Sequence, residues 1–438
     1  MFGKDDEGKP ANTAANNLPS YKNMCKWIET NCESVMKELQ SKQLDYIVQL
    51  FGEGDEAPDM NWVSQLEVNP KTGHAATTVE NIRIIVKNDP RFKGTFYWDE
   101  FMERPMVCGD LPWRKADAKP RSWDDTDDAG VHNVLEKDYK IDSMPKTREG
   151  VDLALADVTR HPVREYLRSL IWDGEKRCET LFIDYLGAED SRYTRTVTRK
   201  ALIGAAARIL SPGCKHDHML VLIGPQGCRK STTLKKLGKE WFSDSLYTMS
   251  GKDAYEQLQG FWIIELSEMA ATRKAEVEQI KQFVSKQEDN YRAAYARRTQ
   301  CHPRQCAFFG TTNDEEFLRD PTGARRFWPV VVTDAGKTLG DKLTASIVDQ
   351  IWAEAVTYYE AGETWYLDGA VEEMARKVQA DHTEANGKLG LIENFLEVLL
   401  PEGWDDWDLE KRLMFWSGGF GEERNGTVPR TKVCALEV

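Results

Sequence analysis

The sequence of 438 residues has no run of 18 apolar residues, and its first methionine is followed by Phe2-Gly3-Lys4-Asp5-Asp6-Glu7 rather than by an apolar core. Neither a membrane span nor a secretory leader is therefore expected. Even the stretch Ala201–Leu210 is interrupted by Arg208. Basic residues are in deficit: 58 Lys and Arg against 72 Asp and Glu leave a net charge of −14 and a pI near 5.2. A surface that is basic all over is excluded, so any nucleic-acid contact has to come from a local island. Cys25, Cys32, Cys108, Cys178, Cys214, Cys228, Cys301, Cys306 and Cys434 are odd in number and contain no C-x-x-C pair. Neither a disulfide framework nor a zinc ribbon is indicated, and reduced thiols in a cytoplasmic protein are the expectation.

What is present is a chain of changing character. Residues 1–20 are polar and read as a disordered tail. Residues 21–147 read as a mixed α+β region, with helical spacing of Trp27, Val35, Leu39 and Ile47 and strand-like pieces at Val79–Val86 and Gly94–Trp98. The acidic cluster Asp124-Asp125-Thr126-Asp127-Asp128 suits a solvated helix start better than a metal site. Residues 148–215 read as a helical domain, with Pro162 in a first turn. From 216 to 335 short apolar strands alternate with helical stretches, the pattern of a parallel α/β sheet. Residues 336–438 are helical again, through Ile347–Tyr359 and Val371–Val378, and the last residues read as a helix start cut short.

The core segment carries the chemistry. Met219–Ile223 is a continuous apolar strand feeding into Gly224-Pro225-Gln226-Gly227-Cys228-Arg229-Lys230-Ser231-Thr232, after which a helix begins. Strand, glycine-rich loop, Lys-Ser and helix form the P-loop context: glycines let backbone N–H groups approach phosphate oxygens, and the helix N-terminus adds a positive dipole. Lys230 is placed to reach the β- and γ-phosphates of ATP, and the Ser231 hydroxyl to ligate Mg2+. One departure stands out, since Arg229 occupies the position where the pattern has glycine. If that position needs a left-handed backbone, the side chain costs about 1–2 kcal/mol.

Hydrolysis also needs carboxylates, a sensor and a positive charge. Gly260–Glu268 is an apolar strand ending in acids; Glu265 is assigned to Mg2+ and Glu268 to the attacking water, with the two roles exchangeable. Cys306–Thr312 is a second such strand, and Asn313 at its end is the sensor candidate. Arg325 and Arg326 precede the apolar Phe327–Val330, and an arginine donated by a neighbouring subunit, Arg326 first and Arg325 second, would stabilise charge on the transferring phosphoryl group. From Tyr291 to Asn313 there is no acid at all. Arg292, Tyr295, Arg297, Arg298 and Arg304 make this an island suited to a phosphate backbone with bases stacked on rings. The competing reading is a loop whose arginines pair with acids. Cys301, His302 and Cys306 are poorly spaced for zinc, and Cys214, His216 and His218 read as structural.

With these residues assembled, the chain resembles the virulence-associated E family. The likeness runs through His161-Pro162-Val163-Arg164-Glu165-Tyr166-Leu167, Trp172-Asp173-Gly174, Pro212-Gly213-Cys214-Lys215, the P-loop, Glu265-Leu266-Ser267-Glu268, the Tyr291-Arg292 and Tyr295 island, and Arg325-Arg326-Phe327-Trp328-Pro329. That resemblance implies an AAA+-like P-loop ATPase core with flanking helical domains, similar to superfamily 3 helicases. It also implies an ATP-driven DNA helicase or replication initiator of a phage or mobile element, acting in a bacterial cytoplasm. Such proteins act as a ring, commonly a hexamer, on single-stranded or forked DNA, and a primase or another replication protein is the candidate partner. The other readings are a nucleotide- or DNA-binding module without turnover, supported by Arg229, and a DNA packaging or partition motor.

Overall fold

The computed structural model describes residues 61–249, 251, 253–267, 274–291, 299–315, 317–318, 324–383, 398–416 and 426–428. The expected tail, the helix read in 21–51 and the last ten residues lie outside these. Packing divides the chain into two units, Met1–Glu165 and Tyr166–Val438.

The first unit contains α1 (Val79–Asn88), β1 (Phe96–Asp99), β2 (Arg104–Val107), β3 (Arg121–Ser122), α2 (Asp125–Tyr139), α3 (Met144–Ala156) and β4 (Thr159–Arg160). Its sheet runs β3-β2-β1-β4, antiparallel except for the β1–β4 pair. The strand expected at Val79–Val86 is instead α1. Its β-branched residues suggested a strand, but Thr78 caps it by accepting the Asn81 N–H, and Ile82, Ile85 and Val86 are buried at helical spacing. The acidic cluster is a helix start, as expected: Asp124 and Asp127 form a reciprocal capping box on α2. Arg121 pairs with Asp127 at 2.6 Å, Arg114 with Asp124 at 2.9 Å and Arg148 with Asp128 at 3.0 Å.

The second unit contains α4 (Leu181–Leu186), α5 (Arg192–Leu210), β5 (Met219–Ile223), α6 (Lys230–Gly238), β6 (Phe242–Ser243), β7 (Ile263–Leu266), α7 (Lys274–Val284), β8 (Glu288–Tyr291), β9 (Gln300–Pro303), β10 (Ala307–Thr312), β11 (Phe327–Val331), α8 (Ala345–Glu360) and α9 (Gly369–Asp381). Five strands form one parallel sheet in the order β11-β5-β10-β7-β6. Both faces are covered, which is why β5 and β10 read as unbroken apolar runs. Met219, Val221 and Ile223 share one cluster with Ile264, Phe308 and the α7 residues Ile280 and Phe283. Next to β7, the Trp262 indole donates to Ala205 O of α5, and its ring packs 4.1 Å from that of Trp352, which donates to Leu237 O. No described helix is long and apolar enough to cross a membrane.

Because the sheet is parallel, all five strands end on the same edge. The chain leaving β5 emerges there between β11 and β10, the kind of crevice in which open α/β sheets bind ligands.

Candidate functional site

The loop from Gly224 to Arg229 leads from β5 into α6. Gly227 has φ +83°, a conformation glycine adopts without strain. Arg229 has φ +70°, so the position does use a left-handed backbone and the arginine carries its cost of about 1–2 kcal/mol. Its guanidinium pairs with Asp341 at 3.1 Å.

Lys230, the first residue of α6, is buried, and its ammonium donates to Gly224 O at 2.5 Å, Pro225 O at 3.1 Å and Asn313 Oδ1 at 2.9 Å. Next to it the Ser231 hydroxyl donates to Glu265 Oε1 at 2.6 Å, and the Thr311 hydroxyl donates to the same oxygen at 2.6 Å. Glu265 is only 1% exposed, and its Oε2 is buried without a hydrogen-bond partner. A buried carboxylate oxygen left unpaired carries a substantial desolvation cost, so the site is arranged for a further group at that atom. A cavity of about 520 Å³ opens over these residues, lined by Gln226 to Thr232, Ser267, Thr311 to Asn313 and Lys337. That size is within the usual range of small-molecule sites.

The β7–β10–β5 adjacency brings Lys230, Ser231, Glu265 and Asn313 together from three separate stretches of sequence. Against these side chains, the family comparison is informative. A model of the virulence-associated protein E-like domain matches residues 167–384. The chain belongs to this family. No curated protein matches it. Solved structures of an NrS-1 C-terminal region are among those similar to it. The apo structure of its residues 305–718 is 14% identical, with 74% of this chain and 77% of that chain covered and a TM-score of 0.36. Two A-form apo structures of the region are 15% and 12% identical, cover 74% and 75% of this chain and 77% and 79% of theirs, and have TM-scores of 0.37 and 0.38.

Other expected site residues fall elsewhere in the virulence-associated E-like domain. Arg325 and Arg326 precede Phe327, which pairs with Met219 at the start of β5, while the loop follows Ile223 at its end. Five residues at about 3.3 Å each separate them from the loop edge by roughly 16 Å. Arg326 donates to Ser285 Oγ at 2.8 Å, and Arg325 is exposed. Arg304, expected among the nucleic-acid contacts, is a correction. It is 3% exposed, its Nε and Nη2 hold Asp289 at 2.6 and 3.0 Å, and it donates to Phe283 O. The acid that claims it lies across the β8–β9 hairpin, outside the acid-free stretch. Glu268, Arg292, Tyr295, Arg297 and Arg298 lie outside the described residues. The hairpin arms below the last four are ordered by Tyr291 stacked on His302 at 4.1 Å.

Two participants were missed in the sequence. Thr311 is the polar end of an apolar run, a signal that could have been read. Lys337 sits in a one-turn helix, Gly336–Leu339, after β11 and carries no local pattern.

Among the described residues no cluster of three or more His, Cys, Asp and Glu is arranged for a metal. His216 is buried against Gly204, and His218 stacks on Trp328 at 4.5 Å. Burial pushes both imidazoles below the ordinary histidine value of 6.5, His216 well below it. Unfolded histidines take up protons as pH falls through 6.5 while these two resist, so the unfolded state binds more protons and stability is lost toward acid. The unfolding free energy is expected to fall between pH 6.5 and about 5 by up to about 1.4 kcal/mol per pH unit for each histidine, read as a drop in the urea midpoint. A midpoint independent of pH across that window would show that neither ring is held neutral.

Proposed function

We propose that this chain is an ATP-hydrolysing motor with an AAA+-like P-loop core that moves on DNA as a ring, commonly of six subunits, during replication of a phage or mobile element. The observation that carries the reading is the convergence of Lys230, Ser231 and Asn313 on one cavity at the carboxyl edge of a parallel sheet, with the buried Glu265 hydrogen-bonded to Ser231 behind its wall. A buried lysine following a glycine-rich turn suits the terminal phosphates of a triphosphate, and the amides at the start of α6 add a fixed positive field. Arg229 does not stand in for Lys230, because its guanidinium is engaged by Asp341.

The residues present fit Mg2+. Ser231 and Glu265 supply hard oxygens already in contact, and Glu265 Oε2 is the unpartnered buried atom such an ion would satisfy. When bound, the ion neutralises charge between the phosphates. Asn313, bonded to the Lys230 ammonium, is assigned to a terminal phosphate and the attacking water, and Glu268 is assigned to that water by its position in sequence. The same sequence position gives Arg292, Tyr295, Arg297 and Arg298, beyond the hairpin arms, the task of holding the DNA backbone. A primase or another replication protein is the candidate partner in replication.

The direct experiment records phosphate release and strand displacement on a forked duplex with ATP and Mg2+. Unwinding coupled to release is expected; release without displacement favours a packaging or partition motor, and nucleotide binding without release favours a module that does not turn over. Glu265→Gln is expected to reduce phosphate release at least about a hundredfold, comparable to the loss of one preorganised electrostatic group. It should also abolish the gain in nucleotide affinity that Mg2+ gives the parent protein. If the variant retained that gain, the carboxylate would not be a metal ligand.

A further inference from the structure

We infer that Lys337 is a second cationic contact for the phosphate chain, presented by a clasp, residues 334–343, that closes over the glycine-rich loop. The inference rests on the nucleotide-binding reading above and extends it to a residue outside the loop.

The clasp and the loop touch at several points. A Cβ on Gly336 would lie 2.4 Å from Cys228 O, so only glycine lets the two backbones approach this closely. A Cβ on Gly340 would lie 3.1 Å from the Arg229 Cβ. The far end is fastened by Asp341 to Arg229 at 3.1 Å, and by Lys236 of α6, whose ammonium donates to Gly340 O at 2.8 Å and Leu343 O at 2.9 Å. The left-handed arginine in the loop is thus one of the anchors of this strap.

Between the anchors Lys337 reaches the cavity wall, with its Cε 3.9 Å from where a Cβ on Gly227 would stand. Among the described residues the lining holds Arg229, Lys230 and Lys337 and no carboxylate. Of these, Lys230 is held by loop oxygens and Arg229 by Asp341, so Lys337 is the cation that a polyanion in this space can draw over. The Lys337 ammonium is paired at 2.9 Å with Asp334, one helical turn away, and both side chains are at least half exposed. A pair of that kind contributes little. The flexible lysine can exchange it for a phosphate oxygen with little loss, whereas Lys230 is buried and fixed.

Titration of the full chain with ATP, and separately with inorganic tripolyphosphate, tests this. Lys337→Met should weaken both ligands about tenfold, the loss of one charge-assisted contact. Lys337→Arg should recover most of the affinity, and the unliganded thermal unfolding of both variants should match that of the parent. Unchanged affinity in Lys337→Met, or an equal loss in Lys337→Arg, would overturn the inference and leave the loop reading intact. Failure of the parent protein to bind either ligand would instead remove the loop reading, and this inference with it.

Discussion

Replacing Lys230 by alanine is expected to lower phosphate release by at least about a hundredfold and to remove detectable nucleotide binding. Among the described residues the ammonium is the one buried cation on the cavity wall, and it already bridges both sides of the site, from Gly224 O and Pro225 O of the loop to Asn313 Oδ1 beyond β10. A triphosphate entering this space meets a charge whose desolvation has already been met by protein oxygens, which is the condition under which electrostatic stabilisation is strongest. The substitution also leaves two loop carbonyls and the Asn313 amide without that donor. Thermal unfolding of the unliganded variant therefore has to be measured beside activity, so that loss of the site can be separated from loss of the fold. A well-folded variant hydrolysing ATP at the parent rate would remove the whole mechanism.

Arg326→Ala is expected to produce a loss of a different kind, about 10³–10⁵-fold if the arginine acts on the transferring phosphoryl group of an adjacent subunit. In one chain the arginines stand at the amino edge of the sheet and the loop at the carboxyl edge. They cannot serve their own site without crossing the length of β11. This makes a mixing experiment decisive. Arg326→Ala subunits keep an intact loop, and Lys230→Ala subunits keep an intact arginine. Combined, they form some interfaces with both, so activity should return in a mixture of two preparations that are each inactive. No recovery in mixtures shown by sizing to have co-assembled would rule out donation between subunits.

The parts of this molecule that could be read from sequence are those where local pattern and environment coincide. β5, β10 and β11 are buried on both faces and so are continuous apolar runs, and the glycine-rich loop lies between one of them and a helix. Glu265 and Asn313 could be found because the first is next to the last residue of β7 and the second directly follows β10. Where a tertiary partner decides, the sequence misleads. Val79–Val86 is rich in β-branched residues, yet its capping and its burial make it helical. Arg304 sits in an acid-free stretch of basic residues, yet its partner Asp289 lies 15 residues earlier on the opposite arm of a hairpin. Lys337 could not be singled out because only the folding of residues 334–343 onto the loop brings it to the cavity.

The positive φ at Arg229 bears on how such loops are recognised. A pattern that insists on glycine before the lysine treats a conformational preference as a chemical requirement. The penalty of about 1–2 kcal/mol for a side chain there is a fraction of the 5–15 kcal/mol by which folded domains are usually stable. Here the side chain is also given an occupation, since it is tied to Asp341. Searches that score this position by backbone geometry rather than residue identity would admit chains of this type, and the residue itself is free to drift wherever a neighbouring segment can make use of what it carries.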